Sequence, residues 1–122
     1  GDGGRGLDEG IERGVPLIIH AHGDNQTALE SLISKLEDCP ISLTHQTRHE
    51  IEGMRNPGGF TDGDRAACIA ISMGVEVSRI DLLGTRSDMV GKYSGATDPK
   101  RKLEKLVWMK NILEELGFEG IR

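Results

Sequence analysis

Val15-Pro16-Leu17-Ile18-Ile19-His20 is a continuous apolar run closed by a histidine, and no other stretch narrows the choice of fold as much. A strand with one face in water alternates apolar and polar residues. An unbroken run of this length instead reads as a strand covered on both faces, as in a parallel sheet. It delivers Ala21-His22-Gly23-Asp24-Asn25 at its carboxyl end, which is where parallel sheets place their ligands.

The rest of the chain keeps the same rhythm. Asp8 to Arg13 reads as a short polar helix closed by Gly14. Asp24 or Asn25 can cap a helix whose Ala28, Leu29, Leu32, Ile33 and Leu36 recur at helical spacing until Cys39-Pro40 stops it. Ile41-Ser42-Leu43-Thr44 alternates and is a second predicted strand, whereas His45 to Gly59 lacks periodicity and is expected to be a long loop of the functional kind. Thr61 is the predicted N-cap of a helix carrying Ala66, Ala67, Ile69, Ala70 and Met73, ended by Gly74. Arg79 to Gly84 is expected to form a third strand, followed by a polar loop over residues 85–97. Asp98-Pro99 opens the last helix, with Leu103, Leu106, Val107, Leu113 and Leu116 on its buried face up to Gly117.

Strands alternating with helices define an α/β class: a layered, Rossmann-like, mainly parallel sheet with helices on both faces. The 122 residues amount to one domain. Three strands make a thin sheet, so a longer chain or a homo-oligomer is expected. The opening Gly1-Asp2-Gly3-Gly4, without an initiator methionine, reads as the loop after a strand that is not here. The sequence is thus expected to be the C-terminal part of a longer catalytic domain.

Composition excludes several classes. A net charge of −5 disfavours a general nucleic-acid or membrane-surface binder, since either needs a basic face. Only four aromatic residues are present, so Leu, Ile, Val and Met must fill the core. Cys39 and Cys68 are far apart and lack metal-ligand spacing, which reads as reduced thiols in a cytoplasmic protein. No apolar run approaches the roughly 20 residues of a membrane span.

Chemistry concentrates in Gly58-Gly59-Phe60-Thr61-Asp62-Gly63-Asp64-Arg65-Ala66. Thr61 with Asp64 at the third helical position makes a capping-box pair, which explains those two residues but not the glycines, Phe60 or Asp62. Carboxylates are the usual protein ligands of magnesium, which keeps most of its waters and holds substrate phosphates. His20 and His22 at alternate positions share a strand face, and such a pair is sometimes a metal site; a core histidine and a helix cap are the plainer reading. Lys100, Arg101, Lys102 and Lys105 stand in the first turns of the last helix, where cations oppose its dipole unless they attend a bound anion. Arg86, Asp88, Lys92, Tyr93 and Ser94 form a polar loop that can contact a nucleotide or simply be solvated. The known glycine-rich phosphate loops and the nucleophile elbow are absent, so any phosphate must be held by carboxylates plus metal.

Taken in order, His20 to Asn25, Gly58 to Ala66, Leu83-Gly84, Gly91-Lys92-Tyr93-Ser94 and the lysine-led helix resemble the archaeal 6-hydroxymethyl-7,8-dihydropterin pyrophosphokinase family, over nearly the whole chain. That family is distantly similar to thiamine pyrophosphokinases, in which a Thr-Asp-x-x-Lys-Ala-like helix start and an Asp-x-Asp-like loop hold magnesium and ATP. Here Arg65 stands where those relatives often carry lysine, and Gly1-Asp2-Gly3-Gly4 would be the tail of the second motif. The resemblance implies Mg2+-dependent transfer of diphosphate from ATP to a reduced pterin, releasing AMP, in tetrahydromethanopterin or folate synthesis. For such a transfer, which needs positioning and charge neutralisation, Asp2, Asp62 and Asp64 are the candidates for metal and phosphate, Asp24 or His22 for the acceptor hydroxyl, and Arg65 and Lys92, with Lys100 and Lys102 ranked after them, for neutralising phosphate, while Thr61 and Gly59 are expected beside the nucleotide. A thiamine pyrophosphokinase, or a non-catalytic domain that binds Mg-ATP for assembly, are the alternatives.

Overall fold

The computed structural model describes residues 5–91 and 98–122. The chain divides into two compact units, Gly1–Asn56 and Pro57–Arg122. The first contains α1 (Arg5–Glu12), β1 (Leu17–Ala21), α2 (Gln26–Leu36), β2 (Ile41–His45) and β3 (Met54–Arg55). Its strands form one sheet in the order β1-β2-β3, parallel throughout. Neighbouring parallel strands cannot be joined by a hairpin; α2 makes the first crossover and residues 46–53 the second. The α/β class and the parallel sheet are as expected.

Register runs from Leu17 opposite Ile41 to Ala21 opposite His45, then from Leu43 opposite Met54 to Thr44 opposite Arg55. Ile19 and His20 are buried, but Ile18 is 49% exposed. The apolar run of β1 is therefore not covered on both faces. At its start, a Cβ built on Gly10 would lie 2.9 Å from Leu17 Cδ2, so α1 packs closely on the first strand.

The third strand differs from expectation. Residues 79–84 are not a strand: Val77–Arg79 form a 3-10 turn, Ile80 and Leu82 pack against the core of the second unit, and Leu83 is 91% exposed. The alternation visible in the sequence is met by burial against helices instead of pairing in a ladder. Met54–Arg55 supplies the third strand instead, inside the stretch read as loop, and two residues are too few to show a period.

The second unit pairs α3 (Asp62–Ser72) with α4 (Pro99–Glu115). Ala67, Leu106, Met109, Leu113, Phe118 and Ile121 form its core, with Ile71, Val77, Ile80, Leu82 and Leu116 around it. Spacings of three and four place Leu106, Met109 and Leu113 on one face of α4. Val107 and Leu103, expected to be buried, fall to its side and are 53% and 37% exposed. The carboxylate of Asp98 accepts from the Lys100 N–H at 2.8 Å, and Pro99 takes the first helical position. Beyond α4 the Phe118 N–H reaches back to the Leu113 carbonyl at 3.0 Å, turning Phe118 and Ile121 into the core. Among the described residues no helix is long and apolar enough to cross a membrane. Cys39 and Cys68 are free thiols.

Candidate functional site

In the first unit the polar loop leaves the carboxyl end of β1. His20 is buried, and its Nδ1 lies 2.9 Å from Thr44 Oγ1 on the neighbouring strand. Asn25 stands at the N-cap of α2 but makes no side-chain cap. Its Oδ1 instead accepts from the His22 N–H at 3.1 Å, and its Nδ2 donates to the His20 carbonyl at 2.8 Å. The expected cap is thus a clamp that closes the loop on itself. That clamp presents His22 and Asp24 together: His22 Nδ1 is bonded to Asp24 Oδ1, with 26% of the His22 side chain and 87% of that of Asp24 exposed. An ionised carboxylate can only accept, so Nδ1 carries the proton. A carboxylate at Nδ1 is the arrangement that orients an imidazole for proton transfer. The His20 and His22 rings lie side by side, 6.0 Å apart at 35°.

The second unit carries the glycine-rich stretch, and its internal bonds account for most of its residues. Gly58 and Gly59 have φ of 92° and 88°, angles that favour glycine. A Cβ on Gly59 would fall 2.5 Å from Arg65 Cα. The Arg65 guanidinium, 4% exposed, donates to the Gly58 carbonyl at 3.0 Å. Asp64 has no exposure at all; its carboxylate accepts from the Phe60 and Thr61 N–H groups at 2.6 Å each and from Thr61 Oγ1 at 2.5 Å. Thr61 and Asp64 close the expected capping box.

Thr61, Asp64 and Arg65 thus hold the loop, and Asp62, at the first position of α3, remains exposed. Burial, with the nearby Asp64 carboxylate, raises the pKa of Cys68 in the same helix above the ordinary thiol value. Beside the stretch, Phe60 and Trp108 of α4 meet at 6.5 Å and 49°, both about half exposed. Sequence reasoning passed over Trp108, because only packing brings it to Phe60.

Lys100, Arg101 and Lys105 are exposed on the first turns of α4, and Lys102 is partly so. Arg86 and Asp88 form a two-bond ion pair with each other, at 2.7 and 2.8 Å, on the surface. That pairing lowers the pKa of Asp88 and raises that of Arg86. Asp2, Lys92, Tyr93 and Ser94 lie outside the described residues. Among the described residues no group of three His, Cys, Asp or Glu side chains is placed to hold a metal ion. Magnesium held mainly by substrate phosphates needs only one or two carboxylates, and the exposed Asp62 fits that lesser demand.

The first unit is thus of the parallel α/β class, with an imidazole–carboxylate pair at a strand's carboxyl end, and the second carries an exposed aspartate on a braced helix start. Over nearly its whole length the chain is similar to curated archaeal proteins named 6-hydroxymethyl-7,8-dihydropterin pyrophosphokinase. Identity is 33% over 121 residues with that of Methanothermobacter thermautotrophicus, covering 92% of this chain and 50% of the relative. It is 34% over 123 residues with that of Pyrococcus furiosus, covering 95% and 50%, and 28% over 120 residues with that of Methanocaldococcus jannaschii, covering 90% and 49%. The resemblance read from the motifs is met. The chain spans about half the length of the curated relatives it matches. No family model and no solved structure matches it.

Proposed function

We propose that this chain acts as an ATP-dependent pyrophosphokinase on 6-hydroxymethyl-7,8-dihydropterin, in tetrahydromethanopterin or folate synthesis. Similarity across 92–95% of the chain to archaeal proteins of that name carries the reading. In the reaction the acceptor hydroxyl oxygen attacks the β-phosphorus of ATP, the α,β-bridging P–O bond breaks, AMP leaves, and the hydroxyl proton passes to a base. His22, oriented by Asp24, is that base.

Asp62 is the carboxylate that would hold Mg2+, and the ion would supply charge neutralisation for the phosphates. The free N–H groups at the start of α3 favour the same anion. Arg65, Thr61 and Gly59 serve the nucleotide by shaping the loop that aims Asp62, and Asp64 acts with them. Lys100 and Lys102 supply further positive charge, and Asp2 and Lys92 are assigned to metal and phosphate by the motif resemblance alone.

The test is to incubate the purified protein with ATP, Mg2+ and the reduced pterin and to separate the products. AMP and pterin diphosphate in equal amounts are expected, and neither should form when thiamine replaces the pterin. Absence of AMP, or AMP with thiamine alone, would sink this reading.

A further inference from the structure

The loop between β2 and β3 has no part in the roles assigned so far, yet it borders an open hollow of about 780 Å³ whose lining residues all fall between His45 and Asn56. That is within the usual size of small-molecule sites, about 300–1,000 Å³. The loop braces itself. Asn56 Nδ2 donates to the Thr47 carbonyl at 3.0 Å, Thr47 Oγ1 donates to the His49 carbonyl at 3.0 Å, and the Thr47 N–H reaches His45 Nδ1 at 3.3 Å. These bonds fix the path of the backbone on one side of the hollow.

Its place matters as much as its size. His45 is buried at the carboxyl end of β2 and pairs in register with Ala21, the residue before His22. The hollow and the His22–Asp24 pair thus share the carboxyl edge of adjacent parallel strands, where such sheets bind ligands.

The lining selects the ligand. Arg48 and Arg55 are matched in number by Glu50 and Glu52, so the site offers no excess of positive charge to a polyphosphate chain. Ile51 and Met54 supply apolar surface. Apolar area with charged donors and acceptors at its margin suits a flat, neutral, nitrogen-rich ring whose edge carries both N–H and C=O groups. Such a ring can set an amino N–H and a ring N–H against a carboxylate, and a carbonyl against a guanidinium.

Resting on the reaction proposed above, we infer that this hollow receives the reduced pterin ring of the acceptor, with Arg55 and Glu50 or Glu52 gripping its polar edge. Arg55 is fixed by its strand opposite Thr44, and all three side chains are exposed, so the fold does not depend on them.

The experiment titrates the purified protein with 6-hydroxymethyl-7,8-dihydropterin, followed by its own fluorescence. It compares wild type with Arg55→Ala and with the Glu50→Gln/Glu52→Gln double variant, and ATP is titrated in parallel. Loss of one charged hydrogen bond should weaken pterin binding about tenfold or more. ATP affinity should stay within about twofold, and the melting temperature should not move, because surface changes of this kind are nearly neutral to stability.

Unchanged pterin affinity in both variants overturns the inference, and so does weakened ATP binding with pterin unaffected, since the hollow would then hold the adenine. If pterin binding falls as expected but the wild type makes no AMP, the inference stands and the reaction fails. If the wild type makes AMP while the variants keep full pterin affinity, the reaction stands and the inference fails.

Discussion

Gly59 passes so near Arg65 that a β-carbon on the glycine would stand 2.5 Å from the arginine's Cα and 2.7 Å from its backbone nitrogen. Both obstructing atoms belong to the main chain of a helix, which cannot step aside as a flexible side chain would. Gly59→Ala combines this overlap with a left-handed backbone, and should destabilise the fold by about 2–4 kcal/mol. Gly74→Ala is the control: φ there is 88° and nothing lies within 4 Å of the added carbon, so only the backbone term, about 1–2 kcal/mol, applies. Urea unfolding of both variants measures the difference, and equal losses would show that the contact with Arg65 is not tight.

The two aspartates of the same stretch should part company. Asp64 is fully buried and accepts three hydrogen bonds on its two oxygens. Asp64→Asn turns an amide N–H₂ toward one of those donors, at an expected loss of about 2–4 kcal/mol of stability. Asp62→Asn, on an exposed first-turn residue, should cost no more than about 1 kcal/mol, yet reduce AMP formation by orders of magnitude if the proposed metal role holds. Melting curves beside turnover separate them; a folded Asp62→Asn variant of full activity would remove the metal role.

Asn25 offers a third case. Its side chain ties the His22 N–H and the His20 carbonyl together from a site only 5% exposed. Asn25→Ala leaves one buried and one partly buried backbone group without this partner, a loss of about 1–3 kcal/mol for a buried group left unsatisfied. Because the clamp also positions His22, kcat should fall more than KM rises. Asn25→Asp keeps the acceptor but not the donor and should lie between the two.

Thiol chemistry tests the interior of α3. Cys68 is 7% exposed, and burial, then the Asp64 charge, pushes its pKa up. A raised folded-state pKa means that the neutral thiol's contribution is complete below the unfolded value, about 8.5. It fades as pH climbs toward the folded one, so stability should decline on the alkaline side. Native protein treated with iodoacetamide near pH 8 should acquire one adduct, on the partly exposed Cys39, and a second only in denaturant. Mass spectrometry of the intact chain gives the count.

Much of this was legible in the sequence, for identifiable reasons. Helix starts and stops were readable because Thr61, Asp98-Pro99, Gly74 and Gly117 act locally, each through a cap or a backbone angle. The α/β class followed from the order of elements. The third strand was misplaced because Ile80 and Leu82 alternate for the sake of a helical core, while Met54–Arg55 is defined by its neighbour β2 and not by its own residues. Asn25 illustrates the remaining gap: its residue type fits a cap, and only the path of the chain shows that it bonds backward to the strand.

The mutual bracing of Gly59, Thr61, Asp64 and Arg65 has a consequence for how this stretch can vary. Each of the four answers to another within it, so a library randomised there and selected for folding alone should retain all four together. Asp62, whose side chain is exposed, should drift.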